Sequence, residues 1–119
     1  MNKIHDVIKG LRSAPGVKGA AVVTYDGLVA SASLATGLDA EVVSGLTSYL
    51  MMTTNRSLNE GEYGPATKLL LNATHGKAVF VRVDDSYLVV LFDQFAEIEQ
   101  AEKQVGDAAD RIRRASRLA

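Results

Sequence analysis

At 119 residues the chain is expected to form one domain spanning residues 1–119, and its 47% apolar and 23% charged residues are ordinary for a soluble globular protein. Thirteen basic and fourteen acidic side chains leave a net charge of −1, which offers no bulk attraction to nucleic acid, and the absence of cysteine excludes disulfides and thiolate metal sites. No apolar run approaches the ~20 residues of a membrane span and the N-terminus lacks the apolar core of a signal peptide, so a cytoplasmic protein without membrane insertion is expected.

The first predicted element is a helix from Asn2, as its cap, to about Ser13. Ile4, Val7, Ile8 and Leu11 form one apolar stripe, and Pro15-Gly16 ends it. Val17–Ser33 then reads VKGAAVVTYDGLVASAS, with Asp26-Gly27 between small apolar runs. That pattern predicts a β-hairpin closed by a tight primed turn, in which Gly27 and Asp26 would take positive φ. Ala20, Ala21, Val22 and Val23 are apolar on both faces of the first strand, so the sheet should be covered on both sides.

A second helix is expected from Thr36 or Asp39, as cap, to about Leu58. At about 100° per residue, Val42, Val43, Leu46, Tyr49, Leu50 and Thr53 share the face expected to lie on the sheet. Ala40, Thr47, Met51, Thr54 and Leu58 form a second stripe, leaving only a narrow polar wedge that includes Asn55 and Arg56. Small residues and methionine tolerate exposure, but a second stripe also suits a helix–helix seam with another copy or a partner, and the seam is the favoured reading. Asn59–Pro65 reads as a polar loop, followed by strands over Ala66–Thr74, Lys77–Val83 and Tyr87–Phe92. The last is apolar on both faces and should be central. Leu69, Leu70 and Leu71 are apolar on both faces too; at a sheet edge they would lack the charges and prolines that blunt one, which suggests dimerisation by edge pairing. A third helix from about Phe95 to Arg117 carries Ile98, Ala101, Val105, Ala108, Ile112 and Ala115 at alternating spacings of three and four, and is placed beside the first helix on the opposite sheet face from the second.

No catalytic set emerges. His5 is placed on the solvent side of the first helix and His75 in a turn, neither with a metal-spaced neighbour. Asp84-Asp85 reads as a solvated turn, and no serine sits in a nucleophile elbow. Gly16-Val17-Lys18-Gly19 precedes a strand rather than a helix, so it is neither a P-loop nor a dinucleotide fingerprint. No cofactor, metal or nucleotide is therefore expected. Arg111, Arg113, Arg114 and Arg117 complement the dipole of the third helix, the alternative being contact with an acidic partner or an anionic surface. Arg56 reads as a surface residue rather than an arginine finger.

The run Gly16-Val17-Lys18-Gly19-Ala20-Ala21-Val22-Val23, followed by Tyr25-Asp26-Gly27-Leu28-Val29 and Ser31, resembles the roadblock/dynein light chain domain family, MglB-like members included. The element order resembles that family over essentially the whole chain. The resemblance implies an α/β (α+β) sandwich of order α-β-β-α-β-β-β-α, with a five-stranded, mainly antiparallel sheet carrying one helix on one face and two on the other. It also implies a homodimer formed through the second helix and third strand, and binding of a Ras-like small GTPase. MglB-like relatives stimulate their partner's GTP hydrolysis by reshaping its own catalytic residues. The expected function is thus a non-enzymatic homodimeric regulator. A scaffold subunit without effect on GTPase rate, or a profilin-like small-molecule sensor with a ligand cavity, are the alternatives. The expected interface combines Ala40, Thr47, Met51, Thr54 and Leu58 with Leu69, Leu70 and Leu71.

Overall fold

The computed structural model describes residues 3–118; Asn2, the expected cap of the first helix, lies outside them. The elements run α1 (Lys3–Leu11), β1 (Val17–Thr24), β2 (Val29–Leu34), α2 (Ala40–Glu60), β3 (Lys68–Ala73), β4 (Gly76–Val83), β5 (Ser86–Asp93) and α3 (Ile98–Leu118). The strands form one antiparallel five-stranded sheet in the order β2-β1-β5-β4-β3, with β5 at its centre. This is the expected α+β sandwich.

Residues of alternate parity along the central strands feed two separate cores, as the pleat requires. Ala20, Val22, Val79, Leu88 and Val90 turn toward α1 and α3, where they meet Ile8, Leu11, Ala101, Val105 and Ile112. Ala21, Val23, Phe80, Tyr87 and Val89 turn the other way and meet Val43 and Met51 of α2. Both faces of β1 and β5 are thereby covered, which is why neither strand alternates between apolar and polar residues. The stripe of α3 is buried from Ile98 to Ile112, with Ala115 half-buried.

Local chemistry sets the connections. Gly16 takes φ +75 where the chain turns from α1 into the sheet, and a Cβ there would stand 2.4 Å from that of Ala96, so no other residue fits. The β1–β2 turn differs from the tight primed form expected. Gly27 N donates to Thr24 O, Thr24 N donates to Leu28 O, and only Gly27 has positive φ. The turn is a longer loop with glycine alone in the left-handed position, and Thr24 Oγ1 accepts from Leu28 N to close it. Asp39 caps α2 by accepting from Glu41 N. That helix runs past Leu58 to Glu60, because Gly61 N and Tyr63 N return to Ser57 O and Leu58 O, with Glu62 held at φ 64. α3 starts later than Phe95, since Asp93 Oδ1 accepts from Phe95 N and Asp93 O from Ala96 N, forming a turn first.

Candidate functional site

The exposed face of α2 is the reverse of the one expected. Thr47 and Met51 are buried at 0% and 1% exposure, and Ala40, Thr54 and Leu58 are half-buried, so the stripe assigned to a seam faces the sheet. Val42, Leu46 and Tyr49, assigned to the sheet, are exposed at 65%, 48% and 63%, and Met52 joins them at 54%. Thr53 is exposed as well, while Val43 is buried and Leu50 packs at the margin of the α2 core. The physical reason lies in the hydroxyls. Thr47 Oγ1 donates to Val43 O at 2.7 Å and Ser44 Oγ to Glu41 O at 3.0 Å, so both bury without an unsatisfied donor. The sheet surface under α2 carries the small side chains of Ala21 and Ala32 beside the larger Val23, Phe80 and Val89. Val42, Leu46, Tyr49 and Met52 are left facing outward.

The second half of the expected interface lies at an edge. β3 is the outermost strand beside β4, with Leu70 half exposed and Leu69 and Leu71 packed at the margin of the α2 core. Its one charged residue, Lys68, reaches across to Glu102 of α3 at 3.0 Å. The opposite edge, β2, reads VASASL and carries no charge at all. Sequence reasoning had not singled it out.

A polar cluster, also not foreseen, sits where the β1–β2 and β4–β5 turns meet α2. Arg82 and Tyr87 are cross-strand partners on β4 and β5. The Tyr25 and Tyr87 rings stack tilted with centroids 4.8 Å apart. Tyr25 OH donates to Asp84 O and accepts from Arg82 Nε at 2.8 Å. Asn55, read from sequence as part of the polar wedge, points inward: its Nδ2 donates to Tyr87 OH at 3.1 Å and its Oδ1 accepts from Ala66 N at 2.8 Å. Burial pushes the Tyr87 hydroxyl above its usual pKa, and the neighbouring Tyr25 adds to this, against the opposing pulls of Asn55 and Arg82. The neutral hydroxyl is thus the folded form, and its contribution to stability holds below about pH 10 and falls as pH rises through the raised value.

Asn55→Ala would leave Ala66 N–H and the Tyr87 hydroxyl without this partner inside the fold. It should lower stability by about 1–3 kcal/mol, read as a lower urea midpoint with unchanged slope. A change below about 0.5 kcal/mol would return Asn55 to the class of solvated surface residues.

Elsewhere two arginines of the last helix hold the β4–β5 turn. Arg113 binds Asp110 at 2.8 Å and donates to Arg82 O, and Arg117 reaches Asp84 at 3.3 Å. The arginines of the last turns are therefore partly fixed to the β4–β5 turn rather than solvated as one face. Asp84 forms that turn with φ 57 and holds both Arg117 and Tyr25, so it is more than a solvated turn residue. Arg111 and Arg114 line an open groove of 670 Å³ between α1 and α3, together with Lys3, Asp6 and Asp107. His5 differs from its expected solvent position: it is half-buried, with Nδ1 3.1 Å from Ser31 Oγ on β2. His75 lies exposed in the β3–β4 turn. Among the described residues no group of three or more His, Asp or Glu stands together to hold a metal ion. Arg56 is exposed on α2. No helix among the described residues is long and apolar enough to cross a membrane.

Comparison with known proteins bears on this surface. The model of the Roadblock/LC7 domain matches residues 3–92. An uncharacterized protein of Methanocaldococcus jannaschii, MJ0310, is 31% identical over 110 residues, covering 92% of this chain and 96% of its own. Among solved structures, Myxococcus xanthus MglB superposes with a TM-score of 0.92 at 16% identity, covering all of this chain and 98% of that one. A Roadblock/LC7 domain from Streptomyces avermitilis superposes with a TM-score of 0.82 at 19% identity, covering 94% and 96%. At these identities the two structures establish the fold.

Proposed function

Since this chain belongs to the Roadblock/LC7 domain family, we propose that it is a non-catalytic homodimer that binds a Ras-like small GTPase and modulates its GTP hydrolysis. The observation that carries the reading is the apolar stripe Val42, Leu46, Tyr49 and Met52, left exposed along a helix whose other face is already buried. Burying such side chains stabilises by about 1.5–3 kcal/mol each, so a stripe of this kind favours a protein contact over solvent. A two-fold arrangement that packs α2 against its copy and pairs the β3 edges would cover the stripe together with Leu69, Leu70 and Leu71. It would also close the sheet edge beside them. The GTPase then docks on the paired surface. The likeness to MglB supports this assignment through the shared fold.

The test is retention from an extract of the source cells on the immobilised chain, once with a non-hydrolysable GTP analogue and once with GDP, followed by turnover assays on whatever GTPase is retained. A GTPase held mainly in the GTP-analogue state, and hydrolysing faster with the chain present, is the expected result. A GTPase bound with no change in turnover would replace regulation by scaffolding. Failure to retain any GTPase in either state would overturn the reading.

A further inference from the structure

Beside α2 the polar cluster opens into a cleft of 230 Å³, of whose lining only Met52 belongs to the stripe assigned to the dimer. Arg82 and Tyr87 line it from the sheet, Ser48, Met52 and Asn55 from the helix, and Met51 contributes below. Arg82 is the only charged residue in the lining. Its Nε is taken by Tyr25 OH, with Asp84 O at 3.5 Å, and none of the ion pairs among the described residues includes it. Its two terminal nitrogens thus retain the fork that matches a carboxylate. Asn55 Nδ2 carries a second hydrogen beyond the one given to Tyr87, and Ser48 adds a hydroxyl. The methionines supply apolar walls.

We propose that this cleft receives an acidic side chain of a docking protein, an aspartate or glutamate set between apolar residues, with the carboxylate on Arg82 and the flanking residues on Tyr25 and Pro65, which line the cleft and are not part of the α2 stripe. Charge complementarity selects the anion: a cationic fork, amide and hydroxyl donors, and no carboxylate in the lining. Size selects the source. Small-molecule pockets hold about 300–1,000 Å³ and enclose most of their ligand, whereas this cleft is smaller and opens beside an exposed apolar helix face. That geometry suits one protruding side chain. The proposal is independent of whether the partner is a GTPase.

The full chain, labelled with 15N, is titrated with acetyl-Leu-Glu-Leu-amide, with its Gln analogue, and with sodium acetate, following the Arg82 Nε–H and the Asn55 side-chain amide resonances. The expected result is a saturable shift with the Glu peptide, about tenfold or more weaker with the Gln peptide and with acetate, and lost at the Asn55 amide in Arg82→Gln while amides remote from the cleft keep their positions. Equal binding of the Gln peptide, or no saturation with the Glu peptide in the wild-type chain, would overturn the proposal without any variant. Acetate binding as tightly as the peptide would assign the cleft to a free small anion and overturn the docking reading. Loss of self-association in Arg82→Glu would assign the cleft to a second copy, and overturn it likewise.

Discussion

Met51→Glu is expected to unfold this protein rather than to divide an assembly of it. The Met51 side chain is 1% exposed between α2 and the sheet, in the cluster that contains Val23, Phe80 and Val89. A carboxylate placed there loses most of its hydration, with only the half-buried Arg82 of the adjoining cleft to offset the loss, a cost of several kcal/mol on top of the lost apolar contacts. The sum is on the order of 5 kcal/mol, comparable to the whole stability of many domains this size. Far-ultraviolet circular dichroism and a urea titration should show loss of the cooperative transition or a large fall in its midpoint. Met51→Leu, which conserves volume, should cost less than about 1.5 kcal/mol. If Met51→Glu retained a wild-type transition and only lowered the native mass, the burial of this face would be wrong and the seam would return to Thr47 and Met51.

The assembly itself is expected to respond to the opposite face. Leu46→Glu combined with Tyr49→Glu replaces two side chains of the exposed stripe, and neither touches the cores. Glutamate is a good helix former, so the fold should survive. If the stripe is buried between copies, the change removes roughly 3 kcal/mol or more of apolar burial, a weakening of about a hundredfold or more in the dissociation constant. It also places carboxylates facing one another across the two-fold axis. Native mass spectrometry should then shift from the dimer toward the 12.7 kDa chain. The thermal midpoint should lose its dependence on protein concentration. An unchanged dimer would exclude α2 as the contact, and a wild-type chain that is already monomeric would remove the dimer from the proposed function.

Much of the fold was legible in the sequence, and the part that was not has one cause. The stripes of α1 and α3 are simple: Ile8 and Leu11, or Ala101, Val105 and Ile112, are the apolar residues of otherwise polar helices, so only one face can bury. β5 reads as central because Leu88, Val89 and Val90 leave no polar face. α2 offers two stripes, and periodicity alone does not say which of them lies on the sheet. Thr47 and Ser44 look unsuited to a core until their hydroxyls are seen bonded to the preceding turn. Asn55 looked like a solvent residue for the same reason, since its partners Ala66 N and Tyr87 OH lie 11 and 32 residues away along the chain. The Arg82 cleft had no signal in the sequence, because its lining comes from the β1–β2 turn, α2, β4, β5 and the loop before β3.

The sequence by itself thus determined the element order, the small-residue strands that demand cover on both faces, the turn glycines and the absence of disulfide and thiolate chemistry. These depend on local sterics and on periodicity, which a single segment carries in its own residues. The tertiary structure alone decided which face of α2 is buried, that Leu46 and Tyr49 rather than Thr47 and Met51 are left exposed, and that Arg82 stands beside Asn55 and Tyr87. Those outcomes depend on which surface a helix meets and whether its polar groups are satisfied there, and both are properties of contacts between segments distant in the chain.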